Sequence, residues 1–172
     1  MKIKTLLVCF LAVCAMSLTS CNKGKYVQNY VGTYNMTVTP VLTMTLMGEQ
    51  QDFPTDAIGG FVCVISQIEN SAEVSVTITE NAAGATPLFE ATAECDELGM
   101  HINEVQINET MSDETFGNMD MNVIVKSATA LEPVGGQISW ESNVEGNVGI
   151  KVMGITVEAP LTGKIGFVGT RI

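Results

Sequence analysis

The chain has 172 residues, of which 19 are Asp or Glu and 8 are Lys or Arg, so its formal net charge at pH 7 is −11. No Lys or Arg occurs between Lys25 and Lys126. We therefore expect no nucleic-acid partner, because such proteins need clustered basic side chains to displace phosphate counterions. The length fits a single domain with a complete core.

Residues 1–20 predict a secretory signal peptide. Two lysines precede an apolar run, Leu6–Met16, which is too short to span a bilayer as a permanent helix. The sequence LTSC at positions 18–21 resembles the lipobox of bacterial lipoproteins, whose cysteine is acylated and becomes the first residue of the mature chain. The resemblance implies that Cys21 is the lipid attachment site. Acyl chains, rather than electrostatics, would then hold this acidic protein at a membrane.

Residues 21–29 are predicted to be a short lipidated tether, and residues 30–172 a single domain. The segment 22–25 lacks the aspartate that resembles an inner-membrane retention signal, and the acidic run that resembles a surface-export signal. We therefore expect a lipoprotein of the outer membrane that faces the periplasm. Exposure on the cell surface is the alternative.

Apolar and polar residues alternate with a period of two through the domain, and no stretch of a dozen residues carries a helical stripe. This pattern predicts an all-β fold of roughly eight to ten strands. The clearest apolar faces, in chain order, are Tyr34–Met36–Val38, Leu42–Met44–Leu46, Val74–Val76–Ile78 and Met119–Met121–Val123–Val125. Each such strand would bury one face and expose the other.

Residues that favour turns interrupt this alternation. Two long connections are predicted at 48–58 and 109–118. Shorter turns are predicted at Asn143, Gly154 and Pro160.

A closed barrel and a two-layer β-sandwich both bury one face of every strand. The two ends of the domain favour the barrel, because its first and last strands, at 31–34 and 168–171, must pair to remove the free edges. The first of them, Val-Gly-Thr-Tyr, resembles the opening signature of lipocalins and other calycins, whose last strand brings a basic side chain across the aromatic ring. With the lipobox and the acidic domain, the chain resembles the calycin-like β-barrel lipoproteins of gut anaerobic bacteria. The resemblance implies an antiparallel up-and-down barrel of about eight strands, closed by a cation–π contact between Tyr34 and Arg171.

Little in the sequence predicts catalysis. His101 is the single histidine, and HExxH, GxSxG, CxxC and the phosphate-binding GxxxxGK[ST] do not occur. Carboxylate pairs at 96–97 and 113–114 lie in predicted loops, where solvated acids are expected rather than a glycosidase groove. The acidic stretch from Asp113 to Asp120 matches no calcium-loop consensus. We therefore predict a protein that is not an enzyme and has no cofactor and no metal site.

Methionine is frequent, with 10 residues in the chain. Its flexible thioether suits a pocket for irregular apolar shapes, although it fills ordinary cores equally well. The candidate ligand-binding residues on the apolar faces are Tyr34, Met36, Met44, Met119, Met121 and Trp140. We therefore predict a non-catalytic envelope lipoprotein whose barrel binds a small apolar or amphipathic ligand. The alternative is a structural lipoprotein with a filled barrel that docks onto another envelope protein.

Two cysteines, Cys63 and Cys95, follow the predicted lipidation site. Both lie in apolar strand patterns. A disulfide between them and two buried free thiols are equally compatible with the sequence.

Overall fold

The computed structural model describes residues 24–53, 55–69, 71–113, 117–152 and 155–172. The predicted signal peptide and Cys21 lie outside the described residues. Within the described part, no helix is both long enough and apolar enough to cross a membrane.

The described chain is built almost entirely of strands, which follow one short helical turn. The elements are α1 (Val27–Tyr30), β1 (Gly32–Leu46), β2 (Glu49–Asp52), β3 (Ile58–Gln67), β4 (Glu73–Glu80), β5 (Pro87–Cys95), β6 (Met100–Ile102), β7 (Val105–Asp113), β8 (Gly117–Val125), β9 (Ala128–Ala130), β10 (Gln137–Val152) and β11 (Ile155–Arg171). The alternation predicted for β4 is present, because Val74, Val76 and Ile78 are buried while Glu73 and Glu80 are exposed.

These strands form one antiparallel sheet rather than the two stacked sheets of a sandwich. Along it they follow the order β7-β8-β10-β11-β1-β3-β4-β5-β6-β9, and β2 pairs with β1 beside this path. The sheet curls so that β1 and β11 pair, from Tyr34 with Arg171 to Met44 with Leu161. The all-β, antiparallel prediction is therefore confirmed. Closure into an eight-stranded barrel stays a prediction.

Several predicted connections are wrong. The segment 48–58 contains β2, and most of 109–118 belongs to β7 and β8. Asn143 and Pro160 lie inside β10 and β11, where they pair with Lys164 and Asn147. Pro160 is tolerated because the described pairing of β11 with β1 begins only at the next residue, so β10 is its one strand neighbour there.

The core lies on the concave face of the curled sheet. Its largest fully buried side chains include Tyr34, Met36, Ile65, Ile138 and Leu161. The short helix α1 packs against the end of the sheet where β1 begins, and it buries Val27 and Tyr30 completely or almost so.

Candidate functional site

The six predicted ligand-binding residues all lie on the inner face, but they do not form one site. Tyr34, Met36, Met44, Met119 and Trp140 are buried and Met121 is half-buried. Met44 lies eight residues beyond Met36 on β1, a distance of roughly 25 Å along a strand. Met44 pairs with Leu161, whereas Met36 pairs with Gly169 near the opposite end of β11. The six residues are therefore spread along the core.

Tyr34 and Arg171, the predicted closure pair, are in contact. The Arg171 guanidinium carbon lies 5.3 Å from the centroid of the Tyr34 ring. Arg171 Nη2 also donates hydrogen bonds to the Tyr34 hydroxyl at 2.7 Å and to the Asn29 and Val31 carbonyls at 2.8 and 3.2 Å. The Tyr34 hydroxyl in turn donates to the Tyr30 carbonyl at 2.7 Å. We call Arg171, Tyr34 and Tyr30 the end clamp, since together they join the last strand, the first strand and α1.

A cavity of about 160 Å³ lies in the core, and its lining is wholly apolar. The lining residues come from seven strands: Val38, Phe61, Ile78, Leu88, Phe89, Ile107, Val125, Ile165 and Phe167. An enclosed apolar cavity of about this volume in another protein binds benzene, whereas this cavity is partly open to solvent at Leu88. None of the six residues predicted from the sequence lines this cavity. The sequence pattern placed the correct face of each strand inward, but it contained no signal for where packing would leave space.

The cavity meets the surface at a gap between two strands. β5 pairs with β6 only over Ala93–Cys95, and β7 pairs with β8. Among the described pairings none joins β5 to β7, and a cleft of about 360 Å³ lies between residues 87–90 and 105–109. We call this cleft the side slit. Leu88, Phe89 and Ile107 line both the side slit and the cavity, so the two are continuous.

The polar lining of the side slit contains carboxylates and amides but no cation. Glu90 and Glu109 supply the carboxylates, and Gln106 and Asn108 supply the amides. The next cation along the chain is Lys126. Its Nζ is paired with two other carboxylates, at 2.6 Å from Glu145 Oε1 and 3.3 Å from Glu104 Oε2. Hydrogen bonds to Glu145 and then Glu104 raise the pKa of Lys126. The slit is therefore an acceptor-rich surface.

Trp140 lies beside the cavity without lining it. Its ring stacks on Phe167 with the centroids 4.8 Å apart and the planes inclined by 17°. Phe167 lines the cavity and also contacts Phe89, with a centroid separation of 5.8 Å. Among the described residues, Trp140 Nε1 is a buried donor without an acceptor. Since Trp140 is the single tryptophan of the chain, its fluorescence would report on the cavity.

His101 lies in β6, beside the β5–β6 turn. Its Nε2 lies 3.0 Å from Asp96 Oδ1, and its Nδ1 lies 3.0 Å from Thr129 Oγ1. Asp96 Oδ1 also accepts hydrogen bonds from the backbone N–H groups of Leu98 and Gly99 at 2.7 and 3.1 Å. The Leu98 hydrogen bond first, and the His101 contact second, lower the pKa of Asp96. This network stabilises the β5–β6 turn.

Within the described residues, no group of three or more His, Cys, Asp or Glu side chains is arranged to hold a metal ion. Glu114, part of the acidic stretch considered for a cation, lies outside the described residues.

Cys63 and Cys95 are both buried and both free, so the disulfide alternative is not formed. Burial raises the pKa of the Cys63 thiol to about 12. Burial, with Asp96 and Glu94 nearby, raises the pKa of the Cys95 thiol to about 11. Neither thiol is in an environment that favours a reactive thiolate.

A larger groove of about 610 Å³ lies open on the outer surface of β7, β8 and β10. Asn108, Asn122 and Asn147 form a row across it, because each pairs with the next across the sheet. Asn122 accepts a hydrogen bond from Gln106, and Asp120 accepts one from Thr110. These polar groups pair with one another and the groove does not lead to the apolar cavity, so there is no basis for assigning a ligand site there.

No protein-family model matches the chain, and no curated protein matches it. Among solved structures, it is similar to a crystallised multidomain protein from Bacteroides ovatus that includes DUF1735, with 15% sequence identity and a TM-score of 0.28. The match covers 81% of this chain and 57% of that one, so the chain spans little more than half the length of that protein. A TM-score this low carries no inference about fold or function.

Proposed function

We propose that the protein is a non-catalytic lipoprotein of the cell envelope, anchored to the outer membrane through Cys21, whose calycin-like barrel binds a small apolar or amphipathic molecule. The observation that carries the ligand-binding proposal is the 160 Å³ cavity with its wholly apolar lining. A six-carbon segment buried there would gain about 5 kcal/mol, at about 0.8 kcal/mol per CH₂. Immobilising the ligand opposes this gain, so we expect a Kd weaker than about 0.2 mM.

Closure into an eight-stranded barrel is supported by strand register. Ile102 pairs with Ala128, and Val105 pairs with Val125, so both strands advance by three residues and the register is unbroken. In the proposed barrel, one continuous strand therefore consists of β6 and β7, and a second consists of β8 and β9. β6 pairs with β5 and β8 pairs with β10, which would complete a ring of eight strands together with the β1–β11 pairing.

Membrane anchoring is supported by the geometry at the end of the sheet that carries the end clamp. Gln28 donates a hydrogen bond to Gln67 at 3.2 Å, which places the start of the described chain beside the end of β3. Cys21 is three residues before Gly24, a span of at most about 10 Å. Several large apolar side chains are exposed in the turns and the terminus of this same end: Leu98, Leu131, Val134 and Ile172. Such a surface suits contact with a bilayer.

The alternative function is a structural lipoprotein that docks onto another envelope protein. It is favoured by the dense packing of most of the core, where five of the six predicted pocket residues are buried. The two proposals differ in whether the 160 Å³ cavity accepts a ligand.

The test of ligand binding uses Trp140 fluorescence of the purified protein during titration with 1-hexanol. We expect a saturable change in emission that Ile107→Phe, which fills the junction of slit and cavity, abolishes. Val168→Phe is the matched control, because Val168 is exposed on β11. Native mass spectrometry of protein isolated from its host should detect a bound small molecule as a mass adduct. A fluorescence response that does not saturate, together with a native mass that shows no adduct, would support the alternative of a structural lipoprotein that docks onto another protein.

Anchoring is tested separately, by fractionation and intact mass. We expect the mature chain to begin at an acylated Cys21 and to sediment with membranes. Cys21→Ala should abolish acylation and release the protein from membranes. A mature mass without acyl groups would refute the anchor and would leave the ligand-binding test unaffected.

A further inference from the structure

We infer that the ligand reaches the cavity through the side slit, leaves its head group at the mouth of the slit, whose lining includes Glu90 and Glu109, and carries a cationic or neutral hydroxylated head rather than a carboxylate. The inference rests on the proposed binding of a ligand in the cavity. It adds the route of access and the chemical class of the ligand.

The slit and the cavity form one passage from solvent to core. Leu88 is 50% exposed and Phe89 is 7% exposed, although both line the slit and the cavity. Ile107 borders the same passage on the opposite strand. An alkyl chain could therefore follow continuous apolar surface from Leu88 inward.

Among the described residues, neither end of the curled sheet has an opening that shares lining residues with the cavity. At one end α1 covers the core, with Val27 0% and Tyr30 2% exposed, and the end clamp fixes it there. Toward the other end, the interior is filled by Met44, Ile150 and Leu161, all of which are buried. The gap between β5 and β7 is the described opening that joins the cavity to solvent.

The backbone at the slit can bind a polar head group. Because no described ladder joins β5 to β7, the edge N–H and C=O groups of residues 87–90 and 105–109 are not used for pairing across the gap. Unpaired backbone groups need partners when they are withdrawn from water. A hydroxyl group lodged there could donate to a carbonyl oxygen and accept from an N–H group, and an ammonium group could donate to the carbonyl oxygens.

The charges at the slit select the head group. Glu90 and Glu109 line it, and both walls belong to the stretch from 26 to 125 that contains no Lys or Arg. A fatty-acid carboxylate in the slit would be repelled by these like charges, with no cation among the lining residues, whereas an ammonium group would be attracted to them. The ligand class that fits is a single-chain amphiphile with an amine or hydroxyl head.

The test compares three probes of equal chain length: n-hexylamine, 1-hexanol and hexanoate. Each is titrated into the intact protein at low ionic strength, with Trp140 emission as the readout. We expect hexylamine to bind at least about fivefold more tightly than hexanoate, which follows from attraction to partly exposed carboxylates. Added salt should reduce this preference.

A charge-neutral double variant, Glu90→Gln with Glu109→Gln, locates the head group. It should remove most of the preference for the amine while leaving hexanol affinity within about twofold. Glu94→Gln is the matched control, because Glu94 is an exposed carboxylate on the same strand outside the slit. We expect that variant to keep the wild-type preference.

The possible failures are distinguishable. Hexanoate binding as tightly as hexylamine, or an unchanged preference in the double variant, would overturn this inference while ligand binding itself stood. An equal loss of preference in Glu94→Gln would show that overall charge, and not the slit, selects the ligand. If none of the three probes gives a saturable response, the proposed function fails as well.

Discussion

Two junctions of the curled sheet, β1 with β11 and β5 with β7, are built differently. At the first, β1 and β11 pair over eleven successive residues, and the end clamp ties them to α1. At the second, β5 and β7 run beside one another without a described ladder, and the side slit opens between them. The first junction uses hydrogen bonds to exclude solvent, while the second leaves a route to the apolar cavity.

The difference has local causes in the chain. β5 begins at Pro87, which has no N–H to donate, and the pairing of β4 with β5 shifts register after Ile78. Asn103 and Glu104 separate β6 from β7, and Asn103 donates from its backbone and its side chain to Thr92 at 2.9 and 2.8 Å. The pairing of β5 with β6 therefore ends near Thr92. Loss of this pairing beyond Ala93 distinguishes the open junction from the closed one.

The largest effect is expected from a side chain forced into the closed junction. Gly163 has φ +149°, and an added Cβ would overlap the Val41 carbonyl oxygen and approach Leu42 Cα. Gly163→Ala should destabilise the protein by about 3 kcal/mol or more, from backbone strain and steric overlap. Urea unfolding followed by circular dichroism measures the loss. Gly166→Ala is the control, because a Cβ there meets Thr39 only at ordinary contact distance, 3.8 Å; equal losses would contradict the account.

Removal of the end clamp should have the next largest effect. Arg171→Met removes the donor to the Tyr34 hydroxyl and to the carbonyls of Asn29 and Val31, at the end of α1. We expect a loss of roughly 1 to 2 kcal/mol, since the guanidinium is partly exposed. Lys164→Met on the same strand, which breaks only an exposed pair with Glu141, should cost less than about 1 kcal/mol. A similar shift in the urea midpoint for both variants would refute the clamp.

A smaller, pH-dependent effect is expected at the base of the open junction. Hydrogen bonds lower the pKa of Asp96 from its ordinary value of 3.8, so its contribution to stability is present above that value. It should disappear as the pH falls through the lowered pKa of the folded state. Asp96→Asn should therefore be less stable than the wild type at pH 7, and the two should converge in acid. Glu97→Gln, at the neighbouring exposed carboxylate, should follow the wild type at every pH in thermal unfolding.

The smallest effect concerns thiol labelling. Cys63 pairs with Tyr34 beside the closed junction, whereas Cys95 lies at the end of β5 below the side slit. We expect iodoacetamide to modify Cys95 faster than Cys63, because local opening should be more frequent near unpaired strands. The higher pKa of Cys63, about 12 against about 11, acts in the same direction. Intact-mass kinetics at pH 8 would show the order, and faster labelling of Cys63 would reverse the comparison.

Much of the fold was predictable because period-two alternation is a local property. It placed Tyr34, Met36, Met44 and Trp140 on the buried face before any pairing was known. The turns were less predictable, since polar residues such as Asn143 can also lie on the exposed face of a long strand. The cavity was not predictable, because its lining converges from seven strands.

Period-two alternation was enough to predict antiparallel strands with one apolar face, and the resemblance to calycins implied the contact between Tyr34 and Arg171. The cavity surrounded by Phe89, Ile107 and Phe167, and the gap between β5 and β7 beside it, became visible only in the folded chain. Alternation specifies which way a side chain points. The space left between side chains depends on how strands from the whole chain pack and pair, and no local pattern records that arrangement.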